Sequence, residues 1–255
     1  MNKTIMITGA TSGFGKAIAT IFASNGYNVI ITGRREDRLN ELKQILEASY
    51  KVNVTSLKFD IREKGAVKTA IENLNSAVDI LVNNAGLASG LAPIDEGDTD
   101  DWDLMIDTNI KGLLYVTKQI LPLLKKSPSP HIFNIGSTAG KTAYKNGNVY
   151  CATKFAVDAL NQSMRIDLLP YSIKVTAINP GMAETEFSIV RFKGDNIRAK
   201  KVYEDLQPLM AEDIANVVYY CATLPPHVCI NDLTLTCTNQ ANAIYTLKNA
   251  ERLSP

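Results

Sequence analysis

Short runs rich in β-branched residues alternate along the chain with longer stretches whose apolar residues recur every three or four positions, the pattern of βαβ units wound around a parallel sheet. Seven runs read as strands: 3–8, 28–32, 52–59, 78–82, 131–136, 174–179 and 232–236. Six stretches between them read as helices: 13–25, 35–49, 63–73, 99–126, 147–169 and 211–223. Thr99 stands where it would cap the fourth helix, with Asp100, Asp101 and Asp103 at the positive end of its dipole, and Pro122 should kink or shorten that helix. The order of elements predicts a doubly wound α/β fold of the Rossmann type, a seven-stranded parallel sheet with helices on both faces.

A length of 255 residues with 45% hydrophobic content suits one domain over 1–255, and no repeat or low-complexity tract interrupts it. Lys and Arg number 27 against 26 Asp and Glu, which gives no support to nucleic-acid or membrane binding and points to a small-molecule partner. The first strand begins without a charged leader, and every apolar run stops well short of the roughly 18 residues that span a bilayer. A soluble, cytoplasmic protein is expected. Cys151, Cys221, Cys229 and Cys237 lack the spacing of a zinc site and read as reduced, buried thiols, so no metal is expected. His131 and His227, each beside prolines, read as loop residues. Residues 184–201 follow Pro180-Gly181, carry Arg191, Lys193, Arg198, Lys200 and Lys201, and show weak periodicity. They read as the main part of a mobile lid over 184–206, the alternative being an ordinary solvated loop.

Candidate chemistry gathers after the strands. The first leads into Thr8-Gly-Ala-Thr-Ser-Gly-Phe-Gly15 and then a helix, the context of a dinucleotide turn. Gly9 allows the sharp turn, Gly13 lets a pyrophosphate approach the amides around Thr11, Ser12 and Phe14, and Gly15 permits close packing. After the second strand, where an acid usually meets the ribose of NAD, the chain reads Arg34-Arg35, whose guanidinium forks suit the 2′-phosphate of NADP(H); Arg35 could equally begin a solvated helix. Asp60 and Ile61 after the third strand could meet adenine, with a helix cap as the other reading of Asp60. Asn83, Ala85 and Gly86 after the fourth leave room for the adenosine ribose.

Tyr150 and Lys154 lie four apart in a helix and so share a face, and Ser137 follows the fifth strand. Reducing a carbonyl by hydride needs a proton donor, and the reverse needs a base. A tyrosine serves both if its pKa falls by roughly 2–3, or about 3–4 kcal/mol, a stabilisation assigned here to the Lys154 ammonium and the oxidised nicotinamide. Ser137 would hold and polarise the substrate oxygen, and Lys154 could also hold the nicotinamide ribose.

With these residues the chain resembles the short-chain dehydrogenase/reductase family: Thr8-Gly-x3-Gly-x-Gly15, Asn83-Asn-Ala-Gly86, Asn109, Ser137, Tyr150-x3-Lys154 and Pro180-Gly181 follow in order. The resemblance implies an NADP-dependent enzyme acting on a CH–OH group. It makes Asn109 the fourth member of the catalytic set, supporting a proton-relaying water at Lys154, and places Pro180, Gly181 and Thr185 against the nicotinamide or phosphates. Gly147-Asn-Val-Tyr-Cys-Ala-Thr-Lys154, Pro180-Gly-Met-Ala-Glu-Thr-Glu-Phe-Ser188, Val190-Arg-Phe-Lys-Gly-Asp195 and Leu224-Pro-Pro-His-Val-Cys-Ile-Asn231 resemble more closely the NADP-dependent 3-hydroxy acid dehydrogenases of the serine dehydrogenase type. That implies serine, allo-threonine or 3-hydroxypropionate, or the matching semialdehyde, as substrate, held at Ser137 and Tyr150; Arg191 on the lid could pair with its carboxylate through a guanidinium fork, the other reading being a surface charge or structural pair. The alternatives are another carbonyl class, such as a ketoacyl thioester, diketone or hydrophobic ketone, and a nucleotide-sensing protein without turnover. Val149, Ala152, Phe155, Ala156, Ala159 and Leu160 exceed one narrow stripe on the catalytic helix, so a homo-oligomer is expected, by resemblance a tetramer.

Overall fold

Strand β1 (Thr4–Ile7) shows how the architecture arises. Ile5 and Ile7 point into one hydrophobic cluster and Met6 into another on the opposite face, all three fully buried, so alternate side chains are consumed by helices on both sides of the sheet. Strands β2 (Asn28–Gly33), β3 (Val54–Lys58), β4 (Ile80–Asn83), β5 (His131–Ile135), β6 (Lys174–Pro180) and β7 (Asp232–Leu235) join it in the order β3-β2-β1-β4-β5-β6-β7, every pair parallel. The computed structural model describes residues 2–248, and residues 1 and 249–255 of the expected domain lie outside the described residues. One face is covered by α1 (Gly13–Ser24), α2 (Glu36–Tyr50) and α9 (Ala211–Thr223), through Ile18, Leu39 and Ile214 among others. The other is covered by α3 (Lys64–Glu72), α5 (Leu113–Leu124) and α6 (Asn148–Asp167), through Val67, Val116 and Val157. The expected seven-stranded, doubly wound sheet is thus the observed one.

The long fourth helix differs from expectation. It opens as α4 (Thr99–Ile106), capped not by Thr99 but by Asp98, whose carboxylate accepts from the Asp100 amide at 3.0 Å. It then widens into a π-helical turn, Asp107–Gly112, before continuing as α5. Gly112 explains the fit: a Cβ there would lie 2.6 Å from the Ile61 side chain. Pro122 lies inside the last turn of the helix, which runs to Leu124, two residues short of the expected end. Its missing amide leaves the carbonyl of Lys118, an exposed residue, without that partner, at a position open to solvent.

His131 is no loop residue. It is the first residue of β5, 2% exposed, paired with Ile80 and Lys174 on either side and stacked on Phe133. The Thr176 hydroxyl donates to the Ile230 carbonyl at 2.6 Å, so His131 Nε2 donates to Thr176 Oγ1 at 2.7 Å. Burial, with Lys174 adding repulsion, pushes its pKa down to about 3 and keeps the ring neutral. The expected lid contains two short helices, α7 (Phe187–Arg191) and α8 (Asn196–Lys201). Lys193 ties it to Asp101 at 2.9 Å, and Gly90 donates its amide to the Arg191 carbonyl at 3.0 Å.

Candidate active site

The strand order reverses direction between β1 and β4, and a crevice opens there at the carboxyl ends, as open α/β sheets require. It forms a cleft of about 510 Å³. The turn after β1 supplies Gly9, Thr11, Ser12, Gly13 and Phe14, the tip of β2 Arg34 and Arg35, and the ends of β3 and β4 Asp60, Ile61, Ala85 and Gly86. The other half contributes Ser137, Tyr150, Lys154, Pro180, Gly181, Thr185 and Arg191. Residues far apart in sequence therefore meet in one site.

Gly13 has φ +50°, and a Cβ on it would lie 3.4 Å from Thr185, so the segment after β6 passes close over the turn. Gly15 does not line the cleft; a side chain there would come within 2.5 Å of the Gly9 carbonyl, so its absence lets the helix start fold back on the turn. Asn83 also departs from expectation. As the last residue of β4 it shares the face of Leu81, and its amide donates to Thr117 Oγ1 and Asn134 Oδ1, each at 2.9 Å, in the core. Asn84 takes the place at the cleft, donating to the carbonyls of Thr8 at 2.8 Å and Gly9 at 3.1 Å. Asp60 is not the cap of α3, which is Glu63. Its carboxylate receives a two-pronged contact from Arg62 and a longer one from Arg34 at 3.8 Å. Burial opposes its charge, but the Arg62 hydrogen bonds prevail and hold its pKa below the ordinary value.

Asn109 sits in the π-turn, outside the cleft lining, with its side chain fully engaged. It accepts from the Leu87 amide at 2.9 Å and donates to the Leu87 carbonyl at 2.8 Å and to Thr153 Oγ1 at 3.0 Å. Thr153 in turn donates to the Tyr150 carbonyl. Asn109 thereby fastens the loop after β4 to α6.

Lys154 is buried, donates to the Ile135 carbonyl at 2.9 Å, and is pushed down by burial to a pKa of about 8. Its Nζ is 5.9 Å from the centre of the Tyr150 ring. Burial raises the Tyr150 pKa, and Tyr144 reinforces this, against the opposing hydrogen bond from Ser137 and the positive charge of Arg191. Arg191 is thus a second cation, beside Lys154, whose charge opposes the effect of burial on this phenol. Arg191 stacks between two phenols, its guanidinium carbon 5.5 Å from the ring centres of both Tyr144 and Tyr150, and donates through Nη2 to the Tyr144 hydroxyl at 2.9 Å. Its Nε is buried and makes no hydrogen bond among the described residues.

Sequence reasoning passed over Tyr144, Glu186 and Arg38, which nothing local marks. Arg35 donates to Thr11 Oγ1 at 2.8 Å and Ser12 Oγ at 3.1 Å, and pairs with Glu186 at 3.0 Å; Arg38 pairs with Glu186 at 2.6 Å. For Asn84, strand alternation was a usable signal, since it puts Asn83 and Asn84 on different sides. Among the described residues no cluster of His, Cys, Asp and Glu could hold a metal, and no helix is long and apolar enough to cross a membrane.

The residues fit a dinucleotide: a glycine cradle that side chains would fill, and two guanidinium groups where an acid would otherwise face the ribose. The sequence profile of the short chain dehydrogenases matches residues 3–196. The chain belongs to this oxidoreductase family. It is 46% identical over 251 residues to sulfoacetaldehyde reductase 2 of Chromohalobacter salexigens, covering 97% of this chain and 99% of that one. It is 44% identical over 243 residues to the NADP-dependent 3-hydroxy acid dehydrogenase YdfG of Escherichia coli K12, covering 94% and 96%. The closed form of a serine dehydrogenase complexed with NADP+ superposes with a TM-score of 0.88 at 43% identity, over 94% of this chain and 97% of that one.

Proposed function

We propose that this chain is an NADP(H)-dependent dehydrogenase that interconverts a small 3-hydroxy acid, such as serine, allo-threonine or 3-hydroxypropionate, with the matching semialdehyde. The observation that carries the reading is Arg191, a cation in the same cleft as Tyr150 with a buried, unpartnered Nε. A guanidinium held between two phenols offers a short substrate's carboxylate a charge-assisted fork. The two relatives act, by their names, on different substrates, yet a 3-hydroxy acid and sulfoacetaldehyde are both short and anionic.

When bound, the nicotinamide supplies or accepts the hydride. Tyr150 gives its phenolic proton to the oxygen of the reduced carbonyl, or takes it from the alcohol, while Ser137 holds that oxygen. Arg191 fixes the far end of the substrate. Lys154, beside Gly86, holds the nicotinamide ribose and, with the positive ring, favours the phenolate that burial opposes. Arg34 and Arg35 take the 2′-phosphate, and the lid over 184–206 moves to admit the substrate.

A homo-oligomer, by family likeness a tetramer, is part of the proposal: Ala152, Phe155 and Ala159 form a stripe on α6 that its own domain leaves exposed, Phe155 at 44%. The four cysteines are free thiols, consistent with the cytoplasm. The test is NADPH formation across L-serine, D-serine, allo-threonine, 3-hydroxypropionate, isethionate and neutral alcohols of similar size, with Arg191→Ala beside the unsubstituted protein. KM for the preferred anion should rise at least tenfold and that for a neutral alcohol should change little; equal effects on both would remove the anion reading.

A further inference from the structure

The segment after β6 crosses the cofactor cleft, and it is fastened on the far side. Thr185 lies over Gly13 of the phosphate turn, and the next residue, Glu186, reaches beyond that turn to Arg35 at 3.0 Å and Arg38 at 2.6 Å on the other half of the sheet. Arg35 is itself pinned to Thr11 and Ser12 of the turn. A dinucleotide bound along the turn would lie beneath this strap. The carboxylate spans two guanidinium groups, each side chain of the three about 40% exposed, and their hydrogen bonds hold the Glu186 pKa below the ordinary value although burial opposes it. Arg38 forms a two-point clasp with Arg35, and its guanidinium has no other ion pair among the described residues.

We infer that Glu186 and Arg38 are positioning residues that latch the strap over the cofactor, so that the clasp governs how fast NADP(H) leaves. The inference rests on the NADP(H) reading above. Arg35 meets Glu186 through Nη1 and Thr11 and Ser12 through Nη2, so a 2′-phosphate approaching from the side of the turn would share this arginine with Glu186 rather than compete for it. Closing the latch then requires no rearrangement of the phosphate site, and opening it costs two charge-assisted hydrogen bonds in a partly screened setting.

The experiment is stopped-flow displacement of NADPH, followed by its fluorescence, from the unsubstituted protein and from the Glu186→Gln, Arg38→Gln and doubly substituted proteins. Affinity for adenosine 2′,5′-bisphosphate, which carries the 2′-phosphate but has no pyrophosphate or nicotinamide to lie under the strap, is measured in parallel. Glu186→Gln should raise the NADPH dissociation rate roughly tenfold, Arg38→Gln several-fold, and the double substitution little more than Glu186→Gln alone, with bisphosphate affinity unchanged throughout. Unchanged NADPH dissociation in both single variants overturns the latch while leaving the cofactor reading intact. An equal loss of bisphosphate affinity also overturns it, since Glu186 would then serve the phosphate site. An unsubstituted protein that binds no NADPH overturns the cofactor reading and the latch together.

Discussion

Replacing Lys154 by methionine should abolish turnover and yet stabilise the folded protein at neutral pH. Burial lowers the lysine from its ordinary 10.5 to about 8, which at about 1.4 kcal/mol per pH unit is a standing cost of about 3 kcal/mol wherever the residue is charged in both states. Methionine keeps most of the volume and removes that cost, but it leaves the Ile135 carbonyl without its 2.9 Å donor, a loss of about 1–3 kcal/mol. At pH 7 the balance favours the variant by up to about 2 kcal/mol. Between pH 8 and 10.5 the native lysine sheds its proton before the unfolded one does. The unfolded chain then binds more protons, and the unsubstituted protein gains stability as pH rises. At pH 10 the residual cost is under about 1 kcal/mol and the orphaned carbonyl dominates, so the order reverses. Urea unfolding of both proteins at pH 7 and pH 10 reads this directly. A variant less stable at pH 7, or a difference that does not change with pH, would refute the claim that Lys154 is held charged against its surroundings.

Tyr150→Phe should lower kcat by at least about 100-fold while NADPH binding persists; survival of turnover would remove the phenol from the proton path. Arg34, 60% exposed and only loosely paired with Asp60, is available to a phosphate; Arg34→Ala should weaken NADP+ binding roughly tenfold more than NAD+, and equal weakening by calorimetry would contradict the 2′-phosphate assignment. His131 stays neutral down to about pH 3, whereas in the unfolded chain it protonates near 6.5, so stability falls as pH drops through that window. His131→Gln should therefore lose roughly 3 kcal/mol less than the unsubstituted protein between pH 7 and pH 4, and parallel acid limbs in urea titrations would show that another group sets acid lability.

Periodicity made the sheet legible because strands covered on both faces leave short apolar runs that helical stretches cannot imitate, and the observed ends fall within two residues of those expected for β3 and β4. The break in the fourth helix was not legible, since nothing in Asp107-Thr-Asn-Ile-Lys-Gly112 announces a π-turn, and the close neighbour of Gly112, Ile61, lies some fifty positions earlier. His131 was misread for a related reason: prolines at 128 and 130 mark a turn, but what buries the imidazole is pairing with β4 and β6, which only the fold supplies. In the cleft, motif residues were readable because their backbone tasks are local. Tyr144, Arg38 and Glu186 act across gaps in the chain, and so do the contacts of Asn109 with Leu87 and Thr153.

The reversal of strand order at β1 and β4 divides the protein's heredity as well as its geometry. On the proposed reading, the choice between NADP and NAD is written at the tip of β2, and the choice of substrate beyond β5 and β6, with few side chains in common. Drift on one side can therefore change what is oxidised while leaving the electron carrier alone, and the converse. The seam where Asn84 grips the carbonyls of Thr8 and Gly9 belongs to both halves, as does the clasp of Glu186 on Arg35 and Arg38, and a substitution at Asn84 would be felt whatever the substrate.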